Sequence, residues 1–431
     1  LGFAGSGLSP DYTIHAELAH NLRTLGAIAP SNFRTFKPQS PIPILHSPFP
    51  ASPISIIIKR HLIPAEAFMI KKYTDVLLAA LLALATGLFV PFSPALLWES
   101  INWNLLGILF CLMTITAEIG KWGIPRALCL HFFCGKVTVR QLARFFTGAC
   151  FFSSMVITND ISLIIFVPFS ISTFIEIHER SLLIPLITLE TIAANMGSML
   201  TPIGNPQNLF IYEYFHLPLS DFLSTTAPVV FISGFFLYLA GRLFPETVIS
   251  SLPSREMELP RKKSLFLLFL LLLCVLHVLR LLPLALVMAV VVPAMIFLDR
   301  KAFWEVDYKL LLLFSLLFMA VGNLGRLDIL STWARQTIGG HEFWISLLLS
   351  QFISNVPATV MLSPYTENWA PLLLGVDVGG LGTLIASMAS LISFKAYTHI
   401  PAVSKKEYLA LFSLYNLLLL AVLILWYVMV Y

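Results

Sequence analysis

Thr158-Asn159-Asp160 and Ser354-Asn355-Val356-Pro357 are polar islands inside two apolar stretches, residues 146–175 and 343–365, and their reading decides the fold. The apolar run entering the first island, residues 146–157, is twelve residues long, as is residues 343–354 at the second. At 1.5 Å per residue such an arm reaches roughly 18 Å, against a hydrocarbon core of about 30 Å. Irregular backbone at membrane depth is tolerated only where protein or a water-filled cavity satisfies it. The two stretches therefore predict re-entrant hairpins, entering from opposite sides, whose tips line a site.

The rest of the chain agrees with a membrane setting. Of its 431 residues 58% are hydrophobic and 12% charged, about half the charge of a soluble domain. The predicted class is all-α and polytopic, with the lipid bilayer as partner. The formal net charge of +4 implies no nucleic-acid partner. Cys111, Cys129, Cys134, Cys150 and Cys274 lack paired-metal spacing and read as small core residues. Neither a metalloprotease helix, a P-loop nor a nucleophile elbow occurs, and no nucleophile and base fall at one depth, so neither an enzyme nor a resident cofactor is expected. Residues 1–68, rich in Pro and Ser, read as a disordered or non-native tail, and Met69-Ile70-Lys71-Lys72 resembles a membrane-protein start.

Apolar runs near 75–91, 103–119, 181–215, 222–243, 264–280, 282–298, 308–323, 369–394 and 408–430 predict nine crossings besides the hairpins, with 181–215 and 369–394 broken by polar, Gly-containing segments. With Lys71 and Lys72 in the cytoplasm, the alternation places nineteen of the 27 Lys and Arg inside and only Arg280, Arg326 and Arg335 outside, the other five lying in the tail. That asymmetry follows the positive-inside rule and predicts a cytoplasmic start to the membrane domain and an external C-terminus. Each half reads crossing, crossing, hairpin, broken crossing, crossing. The first repeat is residues 69–254 and the cytoplasmic linker 255–263; in 264–431 an extra linking helix inverts the second copy. A channel has no need of such an inverted repeat.

The two broken crossings align. Asn195-Met196-Gly197-Ser198-Met199-Leu200-Thr201 corresponds to Asp377-Val378-Gly379-Gly380-Leu381-Gly382-Thr383, and Thr158-Asn159 to Ser354-Asn355. Breaking a helix frees carbonyls, which suit a cation, and half-helix N-termini, which suit an anion. Candidate ligands are thus Thr158, Asn159, Asp160, Asn195, Gly197, Ser198, Thr201, Gly204, Asn205, Ser354, Asn355, Val356, Pro357, Gly379, Gly380 and Thr383, with sodium expected at Asn159, Asp160 and Gly197 and at Asn355 and Gly379. Intramembrane carboxylates are functional candidates by default. Asp160 is the first, as sodium ligand or proton carrier; Glu190 is divided between the site and structure. Glu118 reads as interfacial, Asp377 lies between cavity and outer surface, and His277 reads as packing.

The motifs Thr158-Asn159-Asp160, Asn195 to Asn208 (NMGSMLTPIGNPQN) and Ser354-Asn355-Val356-Pro357-Ala358 resemble those of the ion transporter superfamily, which embraces citrate-transporter-like permeases, divalent anion:sodium symporters, arsenite efflux pumps and sodium/proton antiporters. The resemblance spans about residues 70–430 and is nearest to compact bacterial inner-membrane anion permeases. It implies a secondary active transporter of a small anion coupled to sodium or protons, with a fixed scaffold and a moving transport domain, elevator-type alternating access and a homodimer in a bacterial inner membrane. It carries Asn159, Asn355, Thr201 and Thr383 over as ligands. The dicarboxylate branch has Ser-Asn-Thr at both tips; here Asp160 and Val356 replace the threonines, which points to a small inorganic anion or to Asp160 acting through a bound cation. Arsenite efflux and sodium/proton antiport are the alternatives.

Overall fold

The computed structural model describes residues 74–91, 93–122, 137–249 and 261–431. The tail 1–68, the start at Met69, linker residues 255–260, and Arg126, Cys129, Cys134 and Lys136 lie outside the described residues. Within them the chain forms seventeen α-helices and one two-stranded ribbon. The first half runs α1 (Thr74–Gly87), α2 (Pro94–Ser100), α3 (Trp103–Lys121), β1 (Val137–Thr138), α4 (Val139–Ile157), α5 (Asn159–Glu176), α6 (Leu183–Ser198), α7 (Pro206–Tyr214), α8 (Leu219–Ala240) and β2 (Val248–Ile249). The second runs α9 (Arg261–Val278), α10 (Leu284–Asp299), α11 (Tyr308–Leu324), α12 (Asp328–Ile338), α13 (Glu342–Ile353), α14 (Asn355–Leu362), α15 (Trp369–Val378), α16 (Met388–Thr398) and α17 (Lys405–Val430).

Both hairpins turn on one residue, Thr158 between α4 and α5 and Ser354 between α13 and α14. The broken crossings are α6 and α7, parted by residues 199–205, and α15 and α16, parted by 379–387. The arm α13 has the twelve residues expected, but α4 has nineteen. Its additional first turns are polar. Thr138 and Gln141 form a reciprocal capping box, and Arg140 reaches the Phe244 carbonyl and Glu246. Arg144 lies over the Tyr238 ring. The apolar part of the arm still begins near Phe146.

Among the described residues five helical stretches are long and apolar enough to cross a bilayer alone: α3, α5, residues 180–198, 219–243 and α17; a sixth appears if α11 and α12 count as one span. Those two helices meet at 106°. The amphipathic α12 exposes Ile329 and Trp333, where the sequence suggested only a connection. The other predicted crossings are built from shorter or charge-flanked helices, α1, α9 and α10, and from the broken pairs.

Two apolar cores result. One joins α1, α3, α9, α10 and α11 with the inner faces of α7 and α14; the other joins α4, α5, α6, α8, α16 and α17. α15 contributes Leu372 and Val376 to the first and Leu374 and Val378 to the second. Every residue of α6 from Leu186 to Ser198 is buried, the condition of a helix surrounded by others. Its Thr188, Glu190, Thr191, Asn195 and Ser198 are therefore held inside the bundle.

Candidate functional site

The tips share an unusual backbone. Thr158 has φ 72° and ψ 153°, and Ser354 has φ 74° and ψ 155°, a region that non-glycine residues occupy only under constraint. In each tip the next residue is fastened to a break: Asn159 N donates to Gly204 O and Asn355 N to Ala386 O, both at 3.1 Å. The asparagine Oδ1 then accepts the following N–H, from Asp160 and Val356 respectively, at 2.9 Å. Two hairpins of different sequence thus share one conformation. That is physical support for the repeat, beyond the alignment of letters.

Hydroxyls lock the breaks to the hairpin arms in the same symmetric way. Thr201 Oγ1 donates to Met155 O, and Thr383 Oγ1 donates to Gln351 O at 3.0 Å. Gly197 lets α6 close on α4, since a Cβ there would collide with Phe151 O and Ser154 Oγ; a Cβ on Gly204 would strike Ser198 O. The carbonyls freed by the breaks are partly engaged by side chains. Asn208 Nδ2 donates to the carbonyls of Ser198, Met199 and Thr201, and Gln351 Nε2 to those of Gly379 and Leu381. A carbonyl has two lone pairs, so those of Ser198, Met199, Gly379 and Leu381 can still accept a ligand, whereas Thr201 O already takes a second bond from Gly204 N. Different side chains meet the same need in the two repeats.

The elements converge across the repeats. Asn195 Oδ1 accepts from Asn159 Nδ2 of the first tip at 3.3 Å and from Ser387 Oγ, at the start of α16, at 3.0 Å. Its repeat partner Asp377 accepts from Gln207 Nε2 of α7 at 3.2 Å, with Asn205 and Asn208 beside it. Asn355 Nδ2 lies close to Gly380. The N-termini of α5, α7, α14 and α16 and the C-termini of α4, α6, α13 and α15 thus meet around the tips. Such ends offer partial positive and partial negative charge side by side.

Most predicted residues therefore stand together. Ser198 Oγ accepts from Asn205 Nδ2, Val356 and Pro357 are buried in the first turn of α14, and Thr383 is exposed beside the second break. Asp160 is half-buried, with Oδ1 buried and unpartnered and Asp307, the N-cap of α11, as a neighbouring charge. Glu190 is not among them. It sits seven positions before Gly197 on α6, about 10 Å along the axis, where Ser170 Oγ donates to it. Asp377 and Gln207 were not singled out as ligands; the position of Asp377 opposite Asn195 in the aligned breaks was the available signal.

Elsewhere the sequence reading meets ordinary surroundings. Glu118 accepts from Trp122 Nε1 at the end of α3, and the His277 ring contacts Leu282 O. Cys111, Cys150 and Cys274 are buried.

An all-helical membrane bundle with two interrupted crossings and two helical tips meeting inside it is the build of a membrane transporter, not of an enzyme. The chain belongs to the citrate transporter family, whose model matches residues 67–392. It is 30% identical over 310 residues to an uncharacterized transporter of Methanocaldococcus jannaschii, covering 70% of this chain and 83% of that protein. It is likewise 30% identical over 333 residues to the inner membrane protein YbiR of Escherichia coli, covering 74% and 86%. A 46 kDa membrane protein of Mycobacterium leprae is 27% identical over 250 residues, 48% of this chain and 58% of that one.

Proposed function

We propose that the chain is a secondary active transporter that moves a small anion, coupled to sodium ions or protons, by elevator-type alternating access. The observation that carries this reading is Asn195, which bonds both the first tip and the far break, so that one position senses both repeats. Helix N-termini from both halves give an anion several N–H-rich ends, while carbonyls and the Asp160 and Asp377 carboxyls supply oxygen to a cation. The family description names citrate. Val356 in place of a hydroxyl and the charge of Asp160 favour a smaller inorganic anion over a polycarboxylate. The presence of an inner membrane protein among the relatives supports a bacterial inner-membrane location.

A second reading, arsenite efflux or sodium/proton antiport, is favoured by the two buried, unpartnered carboxyl oxygens Asp160 Oδ1 and Asp377 Oδ2 at the site. Uptake into proteoliposomes of sulfate, phosphate, citrate, succinate and arsenite, with sodium and pH gradients imposed separately, distinguishes the two. The first reading expects gradient-driven uptake of an anion, lost in Asn159→Ala and in Asn355→Ala while both variants still insert and purify as folded protein. Wild-type uptake by either variant would remove that tip from the site. Sodium/proton exchange, or transport of arsenite alone, with no uptake of the other anions would establish the second reading.

A further inference from the structure

We infer that Glu190 of α6, Tyr408 of α17 and the buried serines of α16 form a separate site for one sodium ion, away from the tips. The inference rests on the reading of the chain as a cation-coupled transporter and names a place for a coupling ion in addition to the tips.

Glu190 is fully buried. Its Oε2 accepts from Ser170 Oγ of α5 at 2.9 Å, while Oε1 has no hydrogen-bond partner, and no ion pair among the described residues includes it. Tyr408, also fully buried, approaches Thr191 and Glu190, and its hydroxyl makes no well-formed hydrogen bond. The Tyr397 ring stacks on it at 4.7 Å and Phe394 lies at 5.4 Å, which fixes its position. α16 packs on both α5 and α6 and carries Ser390 and Ser393, whose hydroxyls are buried and unpartnered. Glu190 Oε1, Tyr408 Oη, Ser390 Oγ and Ser393 Oγ are thus four of the fourteen such atoms among the described residues, on three helices packed together.

All four are oxygens. A buried polar atom without a partner is costly, and a native fold rarely leaves several on helices packed together unless something occupies the space between them. Water can satisfy hydroxyls, but it leaves the Glu190 charge uncompensated. A proton can neutralise the carboxylate, and the serine and tyrosine oxygens then need water as well. A hard cation answers both needs because it takes several oxygens at once. The charge selects its valence: among the described residues no cluster of three His, Cys, Asp or Glu exists, so a single carboxylate balances a single positive charge. α6 ends in the first break, so an ion here would ride with the helix that carries Asn195.

The test is radiosodium binding to the purified full-length protein, with choline keeping ionic strength constant, for the native chain, Glu190→Gln, Ser393→Ala and Asn159→Ala. Glu190→Gln should lose one bound sodium per chain, and Ser393→Ala should weaken that component about tenfold, whereas Asn159→Ala should retain it. Size exclusion and thermal unfolding in choline verify that Glu190→Gln is folded, and Ser393→Ala gives an independent readout if it is not. Unchanged binding in both Glu190→Gln and Ser393→Ala, loss of all sodium in Asn159→Ala, or no sodium bound by the native protein would each overturn the site. The tip reading is judged separately by anion uptake, which can be lost in Asn355→Ala whatever the outcome at Glu190.

Discussion

At the scale of single residues, the tips store strain where ligand is expected. Thr158 and Ser354 hold nearly identical left-handed, extended conformations without a side-chain cap, each at a cost of about 1–3 kcal/mol. Glycine removes that strain but costs about 0.5–1 kcal/mol in the unfolded chain. Thr158→Gly should therefore unfold at or above the native temperature, with a net gain of about 1 kcal/mol; earlier unfolding of the purified variant would show that the backbone there is relaxed. Asp160, the residue beyond Asn159, decides the coupling ion. If it binds sodium, Asp160→Asn should raise the sodium concentration needed for half-maximal uptake about tenfold or more and keep transport at high sodium, because the amide oxygen is still a ligand. If it exchanges a proton, the same change should abolish the pH dependence and coupled transport, since an amide does not titrate. Dependence on both left unaltered would shift attention to Asp377.

At the scale of elements, the breaks are held open by amides from neighbouring helices. Asn208 gives its Nδ2 to three carbonyls of the first break, and Gln351 serves the second through two carbonyls and the Thr383 N–H. Asn208→Leu, of similar volume, should destabilise the protein by about 2–3 kcal/mol, the cost of leaving buried acceptors unpaired; chemical denaturation of the detergent-solubilised variant measures it, and a loss below 1 kcal/mol would mean that the carbonyls find other donors. These roles separate what the sequence shows from what it hides. The tips and breaks were legible because Gly197, Gly204 and Pro206 punctuate apolar runs and because the two breaks align from Asn195 with Asp377 through Thr201 with Thr383. Gln351 was not, because its partners are created by the packing of α13 on α15. The link from Gln207 to Asp377 depends on how two halves face each other, which periodicity within either half does not encode. The length of α4 was underestimated because its first turns are polar and satisfied by the segment after α8.

At the scale of the whole molecule, the contacts sort the charges into two ends. Lys121 pairs with Asp299, Lys263 lies over the Trp122 ring, Lys309 pairs with Asp75, and Arg180 donates to Pro401 O. Each of these joins segments that the charge asymmetry assigns to the cytoplasm. Arg280 donates to Tyr212 O and His216 O, and Arg326 to Leu96 O; each of these joins segments assigned to the outside. A wrong count of crossings would have mixed the two sets, because one missed span reverses the side of every later residue. The sign of the asymmetry predicts which end faces the cytoplasm. In a background with the native cysteines replaced, Arg335→Cys on α12 and Lys263→Cys on α9 are both exposed positions. An impermeant maleimide added to intact cells should modify the first and spare the second, with both labelled once the membrane is opened. Labelling of the second alone would invert the molecule while preserving the repeat. Equal labelling of both in intact cells would place the two helices at one membrane face and end the inverted arrangement.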